Sequence, residues 1–420
     1  MPTFPICLLI LLSLLADAAA QEGPAGAVAA EPDRTAPFGS ATSVQQLKGG
    51  DLLVALPSGQ ICVIDVESGA TISDYRTADS WAPGTSGVSC WLAPDQRHLA
   101  LGPIGGPLEI RAFEETSIGQ PETALEVEPK RTVEVVIETA TEAVVEGSTG
   151  WTEACWTPGG GHLVTWRRDW FHGPPERFIN VWALDGTLAW RGPLASDVAV
   201  HPTIDQVAIV ETNRVTIGWP DSGFRGVDIP GAHGTIAYSP DGSQIAVGGT
   251  SKQIDLDEDR PWRRPGGGRL ATITILDASS CEIRSRTQPD GWPHQWLQRI
   301  SWSPTGEHLG FSAGKGYSGG TVRAADMKTI HTFFAGGQMW AILEGFWVNE
   351  RFYRPYLFMD YRPGDRSLVL DIKDPAARTM TPQKDWRGVT RLTGTEDVIV
   401  RHAEGIARVT PSTMKVQWER

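Results

Sequence analysis

One segment recurs along this chain: a short alternating strand, a tight turn that usually carries proline, and a second apolar strand. Its clearest copy is Gly234-Thr-Ile-Ala-Tyr-Ser-Pro-Asp-Gly-Ser-Gln-Ile-Ala-Val-Gly-Gly249. Related copies are Val88-Ser-Cys-Trp-Leu-Ala-Pro94 with His98-Leu-Ala-Leu101, and Glu153-Ala-Cys-Trp-Thr-Pro158 with His162-Leu-Val-Thr-Trp166. Two more are Val198-Ala-Val-His-Pro202 with Gln206-Val-Ala-Ile-Val210, and Ile300-Ser-Trp-Ser-Pro304 with His308-Leu-Gly-Phe311. Such a pair cannot bury its apolar face alone, so the copies must stack on one another. A third and a fourth strand follow each pair, as in Ile179–Leu184, Asp185-Gly186, Thr187–Trp190 and in Ala271–Leu276 with Cys281–Arg284. The 46 Gly and 30 Pro supply the punctuation that many short strands need.

Four strands per unit, repeated every 40–65 residues or so, is the pattern of a propeller blade. Tyr238-Ser-Pro-Asp-Gly242, Trp302-Ser-Pro-Thr-Gly306 and Tyr361-Arg-Pro-Gly364 resemble the first-strand turn of WD-repeat propellers, and the resemblance spans residues 42–420. The Gly-His and Trp-Asp dipeptides of the strictest members are absent, which makes this a divergent relative. The resemblance implies an all-β fold: a β-propeller of four-stranded blades. Equivalent first-strand positions fall near Leu47, Trp91, Trp156, Val200, Tyr238, Trp302, Trp347 and Leu392, giving eight units. Phe346-Trp-Val348 and Phe358-Met-Asp-Tyr361 compete for the seventh, and the second choice reduces the count to seven. Glu114–Glu146, with nine Glu against Lys130 and Arg131, is an insertion in the second unit, and its Val133–Val145 stretch reads as an edge hairpin.

The chain begins with an apolar run, Cys7–Leu15, followed by Ala18-Ala19-Ala20. Residues 1–20 therefore read as a signal peptide and 21–41 as a flexible linker, Gly-, Ala- and Pro-rich from Gln21 to Ser40. The expected location is outside the cytoplasm, periplasmic or secreted. No second long apolar segment follows, so no stable membrane insertion is expected. The formal net charge of −13 repels phosphate backbones, which argues against nucleic acid as a partner. Cys62, Cys90, Cys155 and Cys281 remain after cleavage; their spacing fits no metal motif, and they read as buried free thiols. Cys90 and Cys155 both precede a Trp.

No catalytic constellation stands out, and no cofactor or metal is expected. Gly316-Tyr-Ser-Gly-Gly320 has the letters of a nucleophile elbow, but a strand follows the Ser where a helix is needed. Gly310–Lys315 falls one residue short of a phosphate loop, and Asp255–Asp259 lacks the Gly and closing Glu of a calcium loop. His98, His162 and His308 share one repeat position, too far apart to ligate one metal. Quinone-dependent dehydrogenases also use propellers, but their Trp-docking pattern is incomplete at Asp65–Ser73 and Pro411–Trp418.

Propeller connectivity sorts the loops. Turns joining strands one to two and three to four leave one face; connections from strand two to three, and from unit to unit, leave the other. The first class is short. The second holds Thr77–Gly87, Arg167–Arg177, Ser251–Arg269, Gln288–Leu297, Gly314–Gly320 and Gly336–Ile342. Many of the 17 Trp lie there, as do several cations. Trp and Arg dominate binding hot spots, and loops on a rigid scaffold are where sites form. The candidate site is therefore Trp81, Arg167, Arg168, Trp170, His172, Trp262, Arg263, Trp292, His294, Trp296, Tyr317 and Trp340. The expected function is a non-catalytic binding or assembly scaffold for a protein, peptide or glycan. The alternative is a propeller enzyme: a lyase, a glycosidase or a quinone-dependent oxidoreductase. Trp91, Trp156, Trp166, Trp182, Trp190 and Trp302 lie in strands and read as packing between blades.

Overall fold

A computed structural model describes residues 43–56, 60–76, 88–103, 108–118, 132–137, 143–145, 152–167, 178–250, 271–289, 297–313, 318–334, 346–348, 351–355, 367–371, 378–381, 386–392, 394–395, 397–402, 405–410, 413 and 415–420. They belong to one contact unit, residues 37–420. The expected signal peptide and linker lie outside the described residues.

Among the described residues every regular element is a strand, and the strands build eight antiparallel sheets. Ser43–Arg76 gives the first, Val88–Val145 the second, Thr152–Leu194 the third and Asp197–Asp228 the fourth. Ala232–Thr287, Leu297–Phe334, Phe346–Thr381 and Trp386–Glu419 give the rest. Each sheet takes strands consecutive in the chain.

Burial orders the strands radially. Second and third strands such as Val207–Glu211 and Ala271–Asp277 are almost wholly buried, while fourth strands such as Gly223–Asp228 are largely exposed. First strands of successive sheets neighbour one another, including the eighth and the first, except that Asp197–Val200 of the fourth sheet meets the second strand of the third, His162–Arg167. They therefore line the axis, and the fourth strands form the rim. Apolar side chains fill the seams: Ala208, Val210 and Ile217 pack with Ile236 and Ile245 between the fourth and fifth sheets. Val54 and Ile64 pack with Leu392 and Ile399 between the first and eighth. Each buried Ile or Leu stabilises by about 2 kcal/mol before chain entropy is counted. A ring of radially ordered four-stranded sheets is a β-propeller.

The first hairpin of each unit shows why its sequence recurs. The residue three places into the turn takes a left-handed conformation: Gly50, Gly160, Gly242 and Gly306, and once Gln96. Its N–H closes a turn onto Leu47, Thr157, Ser239, Ser303 and Ala93 respectively. Glycine suits that conformation because it has no Cβ to clash.

The strand register corrects the sequence alignment at three units. Gln46, Leu92, Trp156, Val200, Tyr238 and Trp302 occupy one position, opposite Leu52, Leu99, Leu163, Val207, Ile245 and Leu309. Trp91 thus stands one place before Trp156, and Cys90 and Cys155 are not equivalent. Leu47 and Leu392 likewise follow the aligned position by one. The adjacent apolar residues Cys90, Trp91 and Leu92 hide the period-two signal there. All four described cysteines are free thiols. Burial pushes the Cys90 and Cys155 thiols up to about 11.

Phe346–Val348 forms the first strand of the seventh sheet and pairs with Arg351–Pro355; Phe358–Tyr361 lies outside the described residues. In the second sheet, the third strand Leu108–Ile118 pairs first with Ala143–Val145 and then with Thr132–Ile137. The acidic insertion therefore connects strands three and four, so it leaves from the short-turn face. One long connection thus breaks the expected segregation.

Candidate functional site

The candidate site residues fall in segments whose ends are described. Trp81 lies between Arg76, the last residue of the first sheet, and Val88, the first of the second. Arg168, Trp170 and His172 follow Arg167, which ends the second strand of the third sheet opposite Thr152. Trp262 and Arg263 lie between Thr250 and Ala271, and Tyr317 lies between Ala313 and Ser318. Trp292, His294 and Trp296 precede Leu297, and Trp340 precedes Phe346. Strand order makes all of these connections leave the same end of the sheets. Beyond the backbone of Arg167, the residues themselves lie outside the described ones.

The first strands show what underlies that end. Three places before the aligned position stand Ser43, Ser89, Glu153, Asp197, Thr235 and Arg299, polar in every one of those six sheets. One place further on stand Val44, Cys90, Ala154, Val198, Ile236 and Ile300, all buried. An apolar layer in the seams thus gives way to a polar layer at the loop-bearing end. Within that layer Asp197 accepts the Ile236 N–H of the next sheet at 3.2 Å, and the Ser43 hydroxyl lies 3.0 Å from Cys90 Sγ.

Glu153 and Arg299 behave differently. Arg299 Nη2 donates to Glu153 Oε1 at 2.9 Å, although the two belong to the third and sixth sheets. The pair spans the axial space between first strands that are not neighbours. The side chains are 30% and 35% exposed respectively, so the pair is a solvated cross-channel contact rather than a core one. Sequence reasoning did not find it; the available signal is that Glu153 and Arg299 both stand three places before an aligned Trp, Trp156 and Trp302.

The opposite end is tied by short turns. Lys48 Nζ donates to Asp95 O at 2.7 Å and Lys48 N to Gln96 Oε1, linking the first two units. The Tyr238 hydroxyl donates to Gln206 at 2.9 Å across the fourth seam. His201 Nδ1 accepts the N–H groups of Thr203 and Ile204, and the ring lies against Gly242 of the next sheet. Burial holds its pKa below the ordinary value despite the Gly242 backbone and the charge of Asp241. In the second hairpins, Asp185, Asp277 and Asp326 accept the N–H of Thr187, Ser279 and Lys328. The Thr187 hydroxyl at Asp185, the Ser279 hydroxyl and Arg284 at Asp277, and the Lys328 N–H at Asp326 are the chief bonds to the ionised form that hold the three carboxyls below the usual range.

Indole N–H groups stitch the inner seams. Trp156 donates to Trp91 O at 2.7 Å, Trp302 to Ala237 O at 3.0 Å and Trp347 to Ser301 O at 3.1 Å. Each acceptor lies one place before the aligned position in the preceding sheet. Trp166 and Trp182 are buried as well, and Trp91 and Trp190 pack partly buried against seam clusters. His98, His162 and His308 do share one position, each giving its carbonyl to the turn. A strand rather than a helix follows at Ser318, as expected, but it begins at Ser318 itself, three residues before the expected start at Thr321. Among the described residues no group of three His, Cys, Asp or Glu is placed to hold a metal ion, and no helix is long and apolar enough to cross a membrane.

This strand order and ring of sheets recur in solved structures. The C-terminal WD40 domain of Sif2 superposes with a TM-score of 0.57 at 12% identity, covering 88% of this chain and 95% of that one. The Sqt1 protein of Chaetomium thermophilum gives 0.57 at 13% identity, covering 88% and 94%. The chain shares the β-propeller fold of these proteins. No family model matches this propeller, and no curated protein is significantly similar to it. At such identities the likeness is one of fold.

Proposed function

We propose that this WD-repeat-like propeller is an exported, non-catalytic scaffold that binds a protein, peptide or glycan at the loop-bearing end of its sheets. The observation that carries the reading is the difference between the two ends. Apart from the acidic insertion of the second sheet, one end is closed by short turns tied to one another across the seams. The other presents a polar layer, and the connections leaving it contain Trp81, Trp170, Trp262, Trp292, Trp296, Trp340, Tyr317, Arg167, Arg168, Arg263, His172 and His294. A protein partner suits the WD40 fold best. Export rests on Cys7–Leu15 and Ala18–Ala20.

The test is crosslinked capture from the envelope or culture medium of the producing cell, with wild type and a Trp170→Ala/Trp262→Ala variant. The partner should be lost from the variant while its thermal melting stays unchanged. Reduced stability with retained capture would show that the aromatic loops only pack on each other. Amino-terminal sequencing should find a start near Gln21; Met1 retained in a cytosolic fraction would overturn export.

A further inference from the structure

We propose that the ring opens and recloses at the seam between the eighth and first sheets, and that the Glu67–Arg408 ion pair latches that seam. The motion belongs to the ring itself and does not depend on what binds at the loop-bearing end.

Connectivity singles this seam out. The third sheet passes to the fourth through Ala195 and Ser196, and the fourth to the fifth through Ile229, Pro230 and Gly231. Three residues reach about 10 Å at most, so such tethers keep neighbouring sheets together even when their packing loosens. The eighth sheet, by contrast, ends at Glu419 and the first begins at Ser43, and each is built from its own four strands. Among the described residues neither a connection nor a shared strand crosses that seam.

The seam can also part without stranding a buried charge. Arg408 keeps Asp397, a residue of its own sheet, at 2.8 Å, and the Thr410 hydroxyl donates to the same carboxylate at 2.6 Å. Across to the first sheet, Arg408 meets Glu67 at 2.7 Å, and Glu67 is 76% exposed. Side-chain donors of Arg408 and Trp418 reach the Val66 carbonyl, and that of Thr390 reaches the Val44 carbonyl. Glu67 already stands in water, and the freed carbonyls are hydrated as the sheets separate. An ion pair with one solvated partner holds weakly and is screened by salt. Opposing the motion is the apolar contact of Val54, Cys62 and Ile64 with Leu392, Ile399 and Ile406. Baring it to water is unfavourable, which keeps the open ring a minor state.

Four thiols report on the motion, because each faces a different seam. Cys62 faces the eighth–first seam, Cys90 the first–second, Cys155 the third–fourth and Cys281 the fourth–fifth. Cys62, Cys90 and Cys281 are buried, at 1%, 0% and 8% exposed, whereas Cys155 is half-buried and makes a poor comparator. The full-length protein is alkylated with iodoacetamide under native conditions, and modification of each cysteine is followed by peptide mass spectrometry. Each rate is divided by that of the same cysteine in the urea-unfolded chain. Global unfolding exposes every thiol alike, so a difference among these ratios reads a local opening. On this scale Cys62 should react about tenfold or more faster than Cys90 and Cys281, the untethered seam having the lowest effective concentration. Raising NaCl from about 0.05 M to about 0.5 M should speed Cys62 roughly two- to fivefold and leave Cys281 unchanged. Glu67→Gln should speed Cys62 by a similar factor and remove its salt dependence. Equal ratios at the three thiols would overturn the opening, as would Cys90 or Cys281 reacting fastest. Cys62 and Cys90 equally fast, with Cys281 slow, would mean that the first sheet detaches whole, and would overturn a single-seam opening. Cys62 fastest but indifferent to salt and to Glu67→Gln would overturn the latch and leave the seam as the place of opening.

Discussion

The seam between the fifth and sixth sheets and the seam between the eighth and first are built differently. At the former, Ala246, Ile273 and Ile275 meet Ile300, Trp302, Leu309 and Phe311 in a nearly all-apolar contact. Across it the Trp302 indole N–H donates to Ala237 O at 3.0 Å. At the latter, an apolar cluster is supplemented by charge. Arg408 donates to Asp397 of its own sheet at 2.8 Å and to Val66 O of the first sheet at 2.9 Å, and it pairs with Glu67 at 2.7 Å. Trp418 also donates to Val66 O, and the Thr390 hydroxyl donates to Val44 O at 2.7 Å. Burial disfavours the Arg408 charge, but Glu67 and Asp397 more than offset it, raising its pKa above the ordinary value. The difference follows from connectivity. The chain runs directly from the fifth sheet to the sixth, which keeps their effective concentration high. The eighth and first sheets are joined only through the whole ring, and each is complete in its own strands. Directional, charge-assisted bonds hold that seam in register.

The largest expected effect tests the apolar seam. Trp302→Ala should cost about 4 kcal/mol of unfolding free energy, as large aromatic truncations in cores do. Trp302→Phe should cost far less, because most of the volume survives. Urea unfolding of the three proteins decides this; equal losses for Ala and Phe would mean that the indole hydrogen bond, not the packing, holds the seam.

At the closing seam, Arg408→Met keeps the aliphatic stem but strands a buried carboxylate. It should cost about 3 kcal/mol. Adding Asp397→Asn should restore a good part of that loss, since the penalty belongs to the unpaired charge. A double variant no better than the single would instead make Arg408 a packing residue. Trp418→Phe removes one N–H donor at the same seam and should cost about 1 kcal/mol. An unchanged denaturation midpoint would show that Arg408 alone satisfies Val66 O.

Much of the ring was legible in the sequence because its turns are. Ser-Pro-Asp-Gly at Ser239–Gly242 and Ser-Pro-Thr-Gly at Ser303–Gly306 require a left-handed residue at one place, and both sequence and backbone show it. Register failed where those letters are missing or masked by neighbours: Lys48-Gly-Gly in the first unit, Cys90-Trp91-Leu92 in the second and Leu392-Thr-Gly394 in the eighth. The insertion was placed in the second unit, but its exit face followed only from the pairing of Leu108–Ile118 with two partners. The aromatic connections were visible as composition, whereas the Glu153–Arg299 contact depends on ring closure, which no local pattern encodes.

The smallest expected effect separates a connected seam from the closing one by pH. His201 joins the first turn of the fourth sheet to that of the fifth. Its Nδ1 accepts two backbone N–H groups, from Thr203 at 3.1 Å and Ile204 at 3.2 Å, so the neutral tautomer with the proton on Nε2 fits the site. The Gly242 position faces that ring so closely that a Cβ there would lie 2.2 Å from Nε2. Burial lowers the folded pKa from 6.5, and the Gly242 backbone and Asp241 oppose the shift only in part. The unfolded chain therefore takes up a proton here before the native state does. Stability contributed by His201 is complete above pH 6.5 and is lost as the pH falls through 6.5 toward the depressed folded value. One proton limits the slope to about 1.4 kcal/mol per pH unit. His201→Asn keeps an acceptor near the Nδ1 position but cannot titrate. Unfolding free energies at pH 7.5 and 5.5 should fall more steeply in wild type than in His201→Asn, the other histidines contributing equally to both. Parallel slopes would mean that the fourth seam is insensitive to acid and that any loss of stability in this window arises elsewhere in the ring.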